Sequence, residues 1–295
     1  MNAFRTVAEL REQVAAWKRE GLRIGFVPTM GNLHAGHFAL VELAKQHSDK
    51  VVASIFVNPT QFGPNEDYAR YPRTETHDIA GLSAKGCDAI FLPTADEMYP
   101  FGIRNYVQMH VPGITDILCG AHRPGHFNGV ATVVARLFNM VQPDCAVFGR
   151  KDYQQLQVIR YMTREMSFPV QIVSAPTLRE SSGLAMSSRN QYLSADEKTT
   201  AAGIYRTLQA MRDGARNPAQ AHHAFTTRSA FTVRPRACRT LPPHPQESTM
   251  PLRPRVLATA LVLGSLALGA AMTANAQPQA ATAHAMPADG TLLSV

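Results

Sequence analysis

The chain has 295 residues, 45% hydrophobic and 17% charged, with a formal net charge of +7. That length allows one large domain or two with ample core, and the composition is that of a globular protein. Residues 226–295 hold six arginines, no lysine and two acids, so the first 225 carry only +3 and show no basic stripe of the kind nucleic acid needs.

Met1-Asn2-Ala3-Phe4-Arg5 leads into a helix over residues 7–20, with Val7, Leu10, Val14 and Trp17 on one face and Gly21 at its end. That start is no secretory signal. Residues 23–27 read as a first buried strand, stopped by Pro28. Gly31 then allows a tight turn, and a helical pattern runs from about Ala35 to His47 through Leu40, Leu43 and Ala44. Residues 50–57 form a second, nearly continuous apolar strand, as in a parallel sheet covered on both faces. It ends in the polar loop Asn58-Pro59-Thr60-Gln61-Phe62-Gly63, at a carboxyl strand end where α/β sheets place ligand sites.

A helix over 74–85 follows, then a strand over 89–92 and loops at Pro93 and 99–102. Residues 106–111 alternate like a more exposed strand. Arg123-Pro124-Gly125-His126-Phe127-Asn128-Gly129 is a second glycine-rich loop, before a helix over 130–141. A short buried strand over 145–148 ends in Gly149-Arg150-Lys151-Asp152, and the helix after it carries Tyr153, Gln154, Gln155 and Gln157. One more strand covers 170–173, and the loop 180–190 precedes a helix that Ser194 and Glu197 open as a capping box. Strands alternating with helices at this rhythm define an α/β, Rossmann-like parallel sheet with flanking helices. The four cysteines, Cys87, Cys119, Cys145 and Cys238, lie far apart without Cys-x-x-Cys spacing, which favours reduced thiols over a zinc site or a disulfide framework.

The chain turns on Val27-Pro28-Thr29-Met30-Gly31-Asn32-Leu33-His34-Ala35-Gly36-His37. A strand, a glycine turn and a helix N-terminus present backbone N–H groups and a positive dipole end to phosphate. His34 and His37 can face one anion there, and Gly36 removes a side chain that would block a close approach. By itself the four-residue pattern His-x-Gly-His also fits two surface histidines on an ordinary helix. Three more loops stand at strand ends: the Gln61 loop, the Lys151 turn and the stretch Met186-Ser187-Ser188-Arg189. In a parallel sheet these loops can converge. His34, His37, Lys151 and Arg189 would form a cationic cradle, while Gln61 and Gln155 are neutral amides suited to hydroxyls and a carboxylate.

His-x-Gly-His after a strand resembles the signature of the HIGH-type nucleotidyltransferases. Six blocks in order resemble the pantothenate synthetase family specifically, over roughly residues 20–213: residues 28–37, 54–62, 69–73, 123–127, 148–156 and 183–190. That resemblance implies a ligase that converts pantoate to pantoyl adenylate with ATP, releasing pyrophosphate, and then lets β-alanine displace AMP. It implies that residues Met30 to His37, Gly149 to Asp152 and Met186 to Arg189 bind ATP, with Leu178 at the adenine. His37, His34 and Lys151 would be the catalytic groups, with His37 carried over as the acid that donates to the departing phosphate; a histidine near phosphates can also serve as a cation or hydrogen-bond donor without transferring a proton. Gln61 would touch pantoate and β-alanine, and Gln155 would hold pantoate. Magnesium would come with the nucleotide, since no acidic cluster announces a metal site on the protein. The family resemblance further implies a cytoplasmic homodimer formed through the N-terminal domain, with neither nucleic acid nor membrane as a partner. His126 reads as a loop hydrogen-bonder, and Ser181-Ser182 departs from the family's usual residues before Gly183-Leu184.

Residues 1–223 are therefore expected to form the catalytic domain. Residues 224–249 are rich in arginine and proline and read as disordered. Residues 250–295 begin with their own methionine and a basic start, followed by 17 uncharged residues and Ala274-Asn275-Ala276, the three parts of a signal peptide in an internal position. This pattern is expected of a reading frame lost near residues 223–230; a tail anchor is the competing reading. The functional alternatives are a remnant that binds ATP or pantoate without completing the ligation, another HIGH-type nucleotidyltransferase, and a membrane-tethered nucleotide-binding protein.

Overall fold

The computed structural model describes residues 1–215. Its elements, in chain order, are β1 (Asn2–Phe4), α1 (Val7–Arg19), β2 (Ile24–Thr29), α2 (Ala35–Lys45), β3 (Lys50–Ile55), α3 (Glu75–Ala84), β4 (Ala89–Phe91) and α4 (Ala95–Met98). They continue with α5 (Cys119–His122), α6 (His126–Val141), β5 (Cys145–Gly149), α7 (Tyr153–Glu165), β6 (Gln171–Ala175) and α8 (Ala195–Ala215). The six strands form one sheet in the order β1-β4-β3-β2-β5-β6, and every pairing is parallel.

Period-2 alternation splits each strand between two cores. Ile24 and Phe26 pack with α1, α6 and α7 on one face, through residues such as Leu10, Phe138 and Ile159. Val27 packs on the other face with Val41 of α2 and Leu82 of α3. Both faces are thus covered, as the apolar runs of the strands require. Two helices carry the capping boxes their sequences offer. Thr6 and Glu9 form a capping box on α1. On α8 the Ser194 N–H donates to Glu197 Oε2 at 2.8 Å, and the Glu197 N–H to Ser194 Oγ at 3.3 Å.

Four local expectations need correction. The first three-residue strand, β1, carries no apolar run; it forms because β4 offers it an edge, with Asn2 opposite Ala89 and Phe4 opposite Phe91. Pro28 does not stop β2. The Ile24 N–H points to the β5 side, donating to Asp144 Oδ2 at 2.7 Å, and Pro28 has the same phase. Pairing with β5 ends at Phe26, so the missing N–H of Pro28 falls beyond the ladder. Residues 106–111 form no strand; the Met109 N–H donates to Thr132 Oγ1 on α6, at 2.8 Å, rather than to a sheet edge. Finally, α6 starts at His126 rather than at 130, capped by Gly125 in the left-handed region (φ 79°).

Strand order reverses between β2 and β5, so the crevice at their carboxyl ends is the topological switch point of the sheet. No helix among the described residues is long and apolar enough to cross a membrane. The expectations for residues 224–295, including the apolar run over 256–272, lie outside the described residues, as does Cys238.

Candidate active site

Past Thr29 the chain turns through Gly31 (φ 83°) and Asn32 (φ 50°) into α2. Asp78 of α3, completely buried, holds this turn. Its Oδ2 accepts from the Asn32 N–H and its Oδ1 from the Leu33 N–H, both at 2.8 Å, and Oδ1 also accepts from Thr74 Oγ1 at 3.1 Å. A Cβ on Gly31 would meet Ile55 Cγ2 at 3.0 Å and Asp78 Oδ2 at 3.1 Å, so turn and carboxylate are fitted to each other.

The two histidines cap α2 together. The Gly36 N–H donates to His34 Nδ1 at 3.1 Å, and the His34 N–H donates to His37 Nδ1 at 3.3 Å. Both Nδ1 atoms are therefore acceptors, which leaves Nε2–H as the second hydrogen-bonding group of each neutral ring. The ring centroids lie 4.1 Å apart. The space over Gly36 is taken by the protein: a Cβ there would lie 2.8 Å from His34 Cε1 and 3.6 Å from Met186 Cβ. Gly36 thus makes room for the His34 ring rather than leaving an open approach for a ligand.

Burial lowers the pKa of His37 to about 3, with His34 and Lys151 adding repulsion. His34 is lowered by burial and then by Lys151. His126 is brought down to about 4 by burial and by Arg123. Between pH 6.5 and 5, the unfolded chain binds protons that folded His37 and His126 refuse, so stability must fall as the pH falls. We expect a loss of up to about 1.4 kcal/mol per pH unit for each of these histidines, read as a falling urea midpoint. His37→Gln should flatten that slope by one histidine's share. A slope identical in the variant would refute it.

The Gln61 loop is held from several sides. Asn58, buried, accepts at Oδ1 from the Thr60 N–H and from the Tyr99 hydroxyl, so its Nδ2 is the donor to Gln61 Oε1, at 3.3 Å. That fixes the Gln61 carboxamide with its Nε2 toward Met30, 3.0 Å from Sδ. On α6, Gly129 lies against this loop so closely that a Cβ would come within 2.8 Å of Gln61 Cα.

The Met186–Arg189 stretch folds over the start of α2: Ser188 Oγ donates to the Asn32 carbonyl at 2.9 Å. Arg189 does not join the histidines in a cradle here. Its Nε and Nη2 make a two-pronged pair with Asp67, at 3.0 and 2.8 Å. Lys151 approaches Asp152 Oδ2 at 3.7 Å, yet its charge still bears on both His34 and His37. Gln155 lies partly buried in the first turn of α7. Its neighbour Gln154 is tied to the protein: Nε2 donates to the carbonyls of Ile114 and Ile117, and Oε1 accepts from the Cys119 N–H. Leu178 lines a cavity of about 200 Å3 with Ala39, Leu43, Ala175 and Pro176. Gly149, Arg150 and Asp152 close the β5 end, beside the switch point.

The structure thus gathers His34, His37, Met30 and Gln61 at the end of β2 and brings Met186 and Ser188 onto the same turn. Sequence reasoning missed Asp78, Asn58, Glu66 and Asp67. Each acts on a residue distant in the chain, and only Asn58 stood inside a motif. Among the described residues, no group of three or more His, Cys, Asp or Glu could hold a metal ion, and Cys87, Cys119 and Cys145 are free thiols.

A parallel Rossmann-like sheet with a helix capped by two histidines at its switch point makes this an α/β protein built to offer N–H groups to an anion. The family model described as "Pantoate-beta-alanine ligase" matches residues 2–268. The pantothenate synthetase of Stenotrophomonas maltophilia is 64% identical over 214 residues, which are 72% of this chain and 77% of that protein. The crystal structure of pantothenate synthetase from Thermus thermophilus superposes with a TM-score of 0.71 at 51% identity, covering 78% of this chain and 83% of that one. A pantoate-beta-alanine ligase from Francisella tularensis, complexed with beta-gamma ATP and beta-alanine, gives 0.67 at 36% identity, over 77% and 86%. The chain belongs to the pantoate-beta-alanine ligase family.

Proposed function

We propose that the chain condenses pantoate with β-alanine at the expense of ATP, through a pantoyl adenylate made and consumed at the end of β2. The observation that carries this reading is the pair of main-chain-fixed histidine caps, each with an Nε2–H to offer, beside the oriented Gln61 amide. In the first step a pantoate carboxylate oxygen attacks the α-phosphorus and pyrophosphate leaves. In the second the β-alanine amine attacks the acyl carbon and AMP leaves. Negative charge gathers on the departing phosphates, and neutral N–H donors at a helix N-terminus meet it without reorganising.

In this reading the turn from Met30 to His37, the β5 end from Gly149 to Asp152 and the stretch from Met186 to Arg189 hold ATP. The cavity beside Leu178, which Glu42, Gln46 and Thr177 also line, takes the adenine, and Lys151 supplies charge to the phosphates. Gln61 donates its Nε2–H to pantoate and then to β-alanine, with Gln155 as a second amide on pantoate. Arg189 would exchange Asp67 for phosphate. Magnesium would arrive on the nucleotide; the carboxylate nearest the turn, Asp78, has both oxygens engaged by main-chain N–H groups. We further propose a cytoplasmic homodimer formed through the described domain.

The test is ATP–pyrophosphate exchange on the purified full chain, followed by addition of β-alanine. Exchange that requires pantoate supports adenylation, and pantothenate formed on adding β-alanine supports the whole reaction. Lid closure completes many such sites. A chain whose residues after 223 do not supply a lid should exchange but ligate well below an intact relative, because its adenylate leaks and hydrolyses. A folded, ATP-binding chain without pantoate-dependent exchange would refute the reading and leave the binding-only remnant.

A further inference from the structure

His126 opens α6, and both its ring nitrogens are engaged. Nδ1 lies 2.8 Å from the Gln61 main-chain oxygen, and a carbonyl can only accept, so Nδ1 carries the proton. Nε2 is then the acceptor for Arg123 Nη1, at 2.9 Å. Arg123 is fixed in turn by Glu66, with Nε to Oε1 at 2.7 Å and Nη2 to Oε2 at 2.6 Å, and both side chains are about three-quarters buried. Donor and acceptor roles are thus forced along the series from both ends, a carboxylate at one and a main-chain carbonyl at the other. One turn further along α6, Gly129 abuts Thr60 and Gln61, and its carbonyl accepts from Asn58 Nδ2 at 3.2 Å. The first turn of α6 is therefore locked in register with the one loop whose amide is oriented toward Met30.

We infer that His126 is a positioning residue for the substrate amide: it transmits the rigidity of the Glu66–Arg123 pair to the Gln61 main chain and so sets where Gln61 presents its Nε2–H to pantoate. This rests on the reading of Gln61 given above. The ring takes no part in proton transfer, because both nitrogens are engaged and a proton on Nε2 would face the Arg123 guanidinium at 2.9 Å. Burial and that same guanidinium keep the ring neutral.

The experiment measures pantoate and ATP KM in pyrophosphate exchange for the full chain and three variants. His126→Phe keeps the bulk and removes both hydrogen bonds. It should raise the pantoate KM by about tenfold, the value of one hydrogen bond, while the ATP KM stays within about twofold. His126→Gln can reach Arg123 but not the Gln61 carbonyl and should behave like the Phe variant, which keeps the test intact if His126→Phe fails to fold. His126→Asn places an amide N–H where Nδ1 was and should restore the pantoate KM to within about threefold of wild type. A pantoate KM unchanged in a folded Phe or Gln variant, or one that rises in step with the ATP KM, would overturn the inference alone. Absence of pantoate dependence in the wild type would instead overturn the reading beneath it, and the inference with it.

Discussion

Replacing Asp78 with Ala should cost about 3–5 kcal/mol of stability and abolish ordered function of the histidine turn. The carboxylate is wholly buried and accepts from two main-chain N–H groups and a hydroxyl. Hydrogen bonds to a charged acceptor contribute about 1.5–3 kcal/mol each, and the N–H groups left behind pay desolvation with nothing in return. The cost is felt where backbone strain is already held, since Gly31 and Asn32 both stand at positive φ. For a domain of this size, 3–5 kcal/mol corresponds to a fall in Tm of roughly 6–20 °C. Asp78→Asn should lose less, because one acceptor survives while the amide nitrogen faces a main-chain donor. Glu75→Ala, a few residues away in an exposed pair with Arg5, should change stability by less than about 0.5 kcal/mol. Thermal melts of the three variants check this ordering, and an Asp78→Ala variant as stable as Glu75→Ala would refute the clamp.

The largest expected effect on activity is at His37. If its Nε2–H stabilises charge on the leaving phosphates, His37→Ala should slow pantoate-dependent exchange by about a hundred- to a thousandfold, the usual effect of removing one such donor. Stability should move less than with Asp78→Ala, because one main-chain hydrogen bond and the ring contact with His34 are lost, rather than three bonds to a buried carboxylate. The neutral ring also predicts the pH profile. With its pKa brought down to about 3, His37 is uncharged throughout the neutral range, so the wild-type exchange rate at saturating substrates should be flat between pH 6.5 and 8. A rate that falls tenfold per pH unit over that range would mean that an imidazolium transfers its proton, and the donor role would be wrong. A His37→Ala rate within threefold of wild type would remove the residue from the chemistry altogether.

Gln61 and His126 illustrate how the reading of a motif and the reading of a structure differ. The Asn58–Gly63 loop could be recognised as a polar loop at a strand end, and an amide there suits a polar substrate. Which end of that amide faces the site could not be read, because Asn58 sets it, and Asn58 is itself oriented by the Thr60 N–H and Tyr99. His126 could be recognised as a loop hydrogen-bonder from its place beside a glycine. Its partner, the Gln61 carbonyl, lies 65 positions earlier in the chain. Arg189 shows the converse. Its place in the Met186–Arg189 stretch marks it for phosphate, while the fold pairs it with Asp67, a residue in no motif.

The sequence by itself determined the parallel α/β sheet, the longer helices, the capping box of α8, the histidine turn at the first central strand and the family. All of these follow from periodicity, from glycine and capping residues, and from contiguous motifs, which are local properties of a chain. Only the tertiary structure decided the edge strand β1, the continuation of β2 through Pro28, the failure of residues 106–111 to pair, the tautomers of the three histidines and the clamp of Asp78 on the turn. Each depends on a donor, an acceptor or a sheet edge supplied from far along the chain. A buried polar group must find such a partner wherever the fold places one.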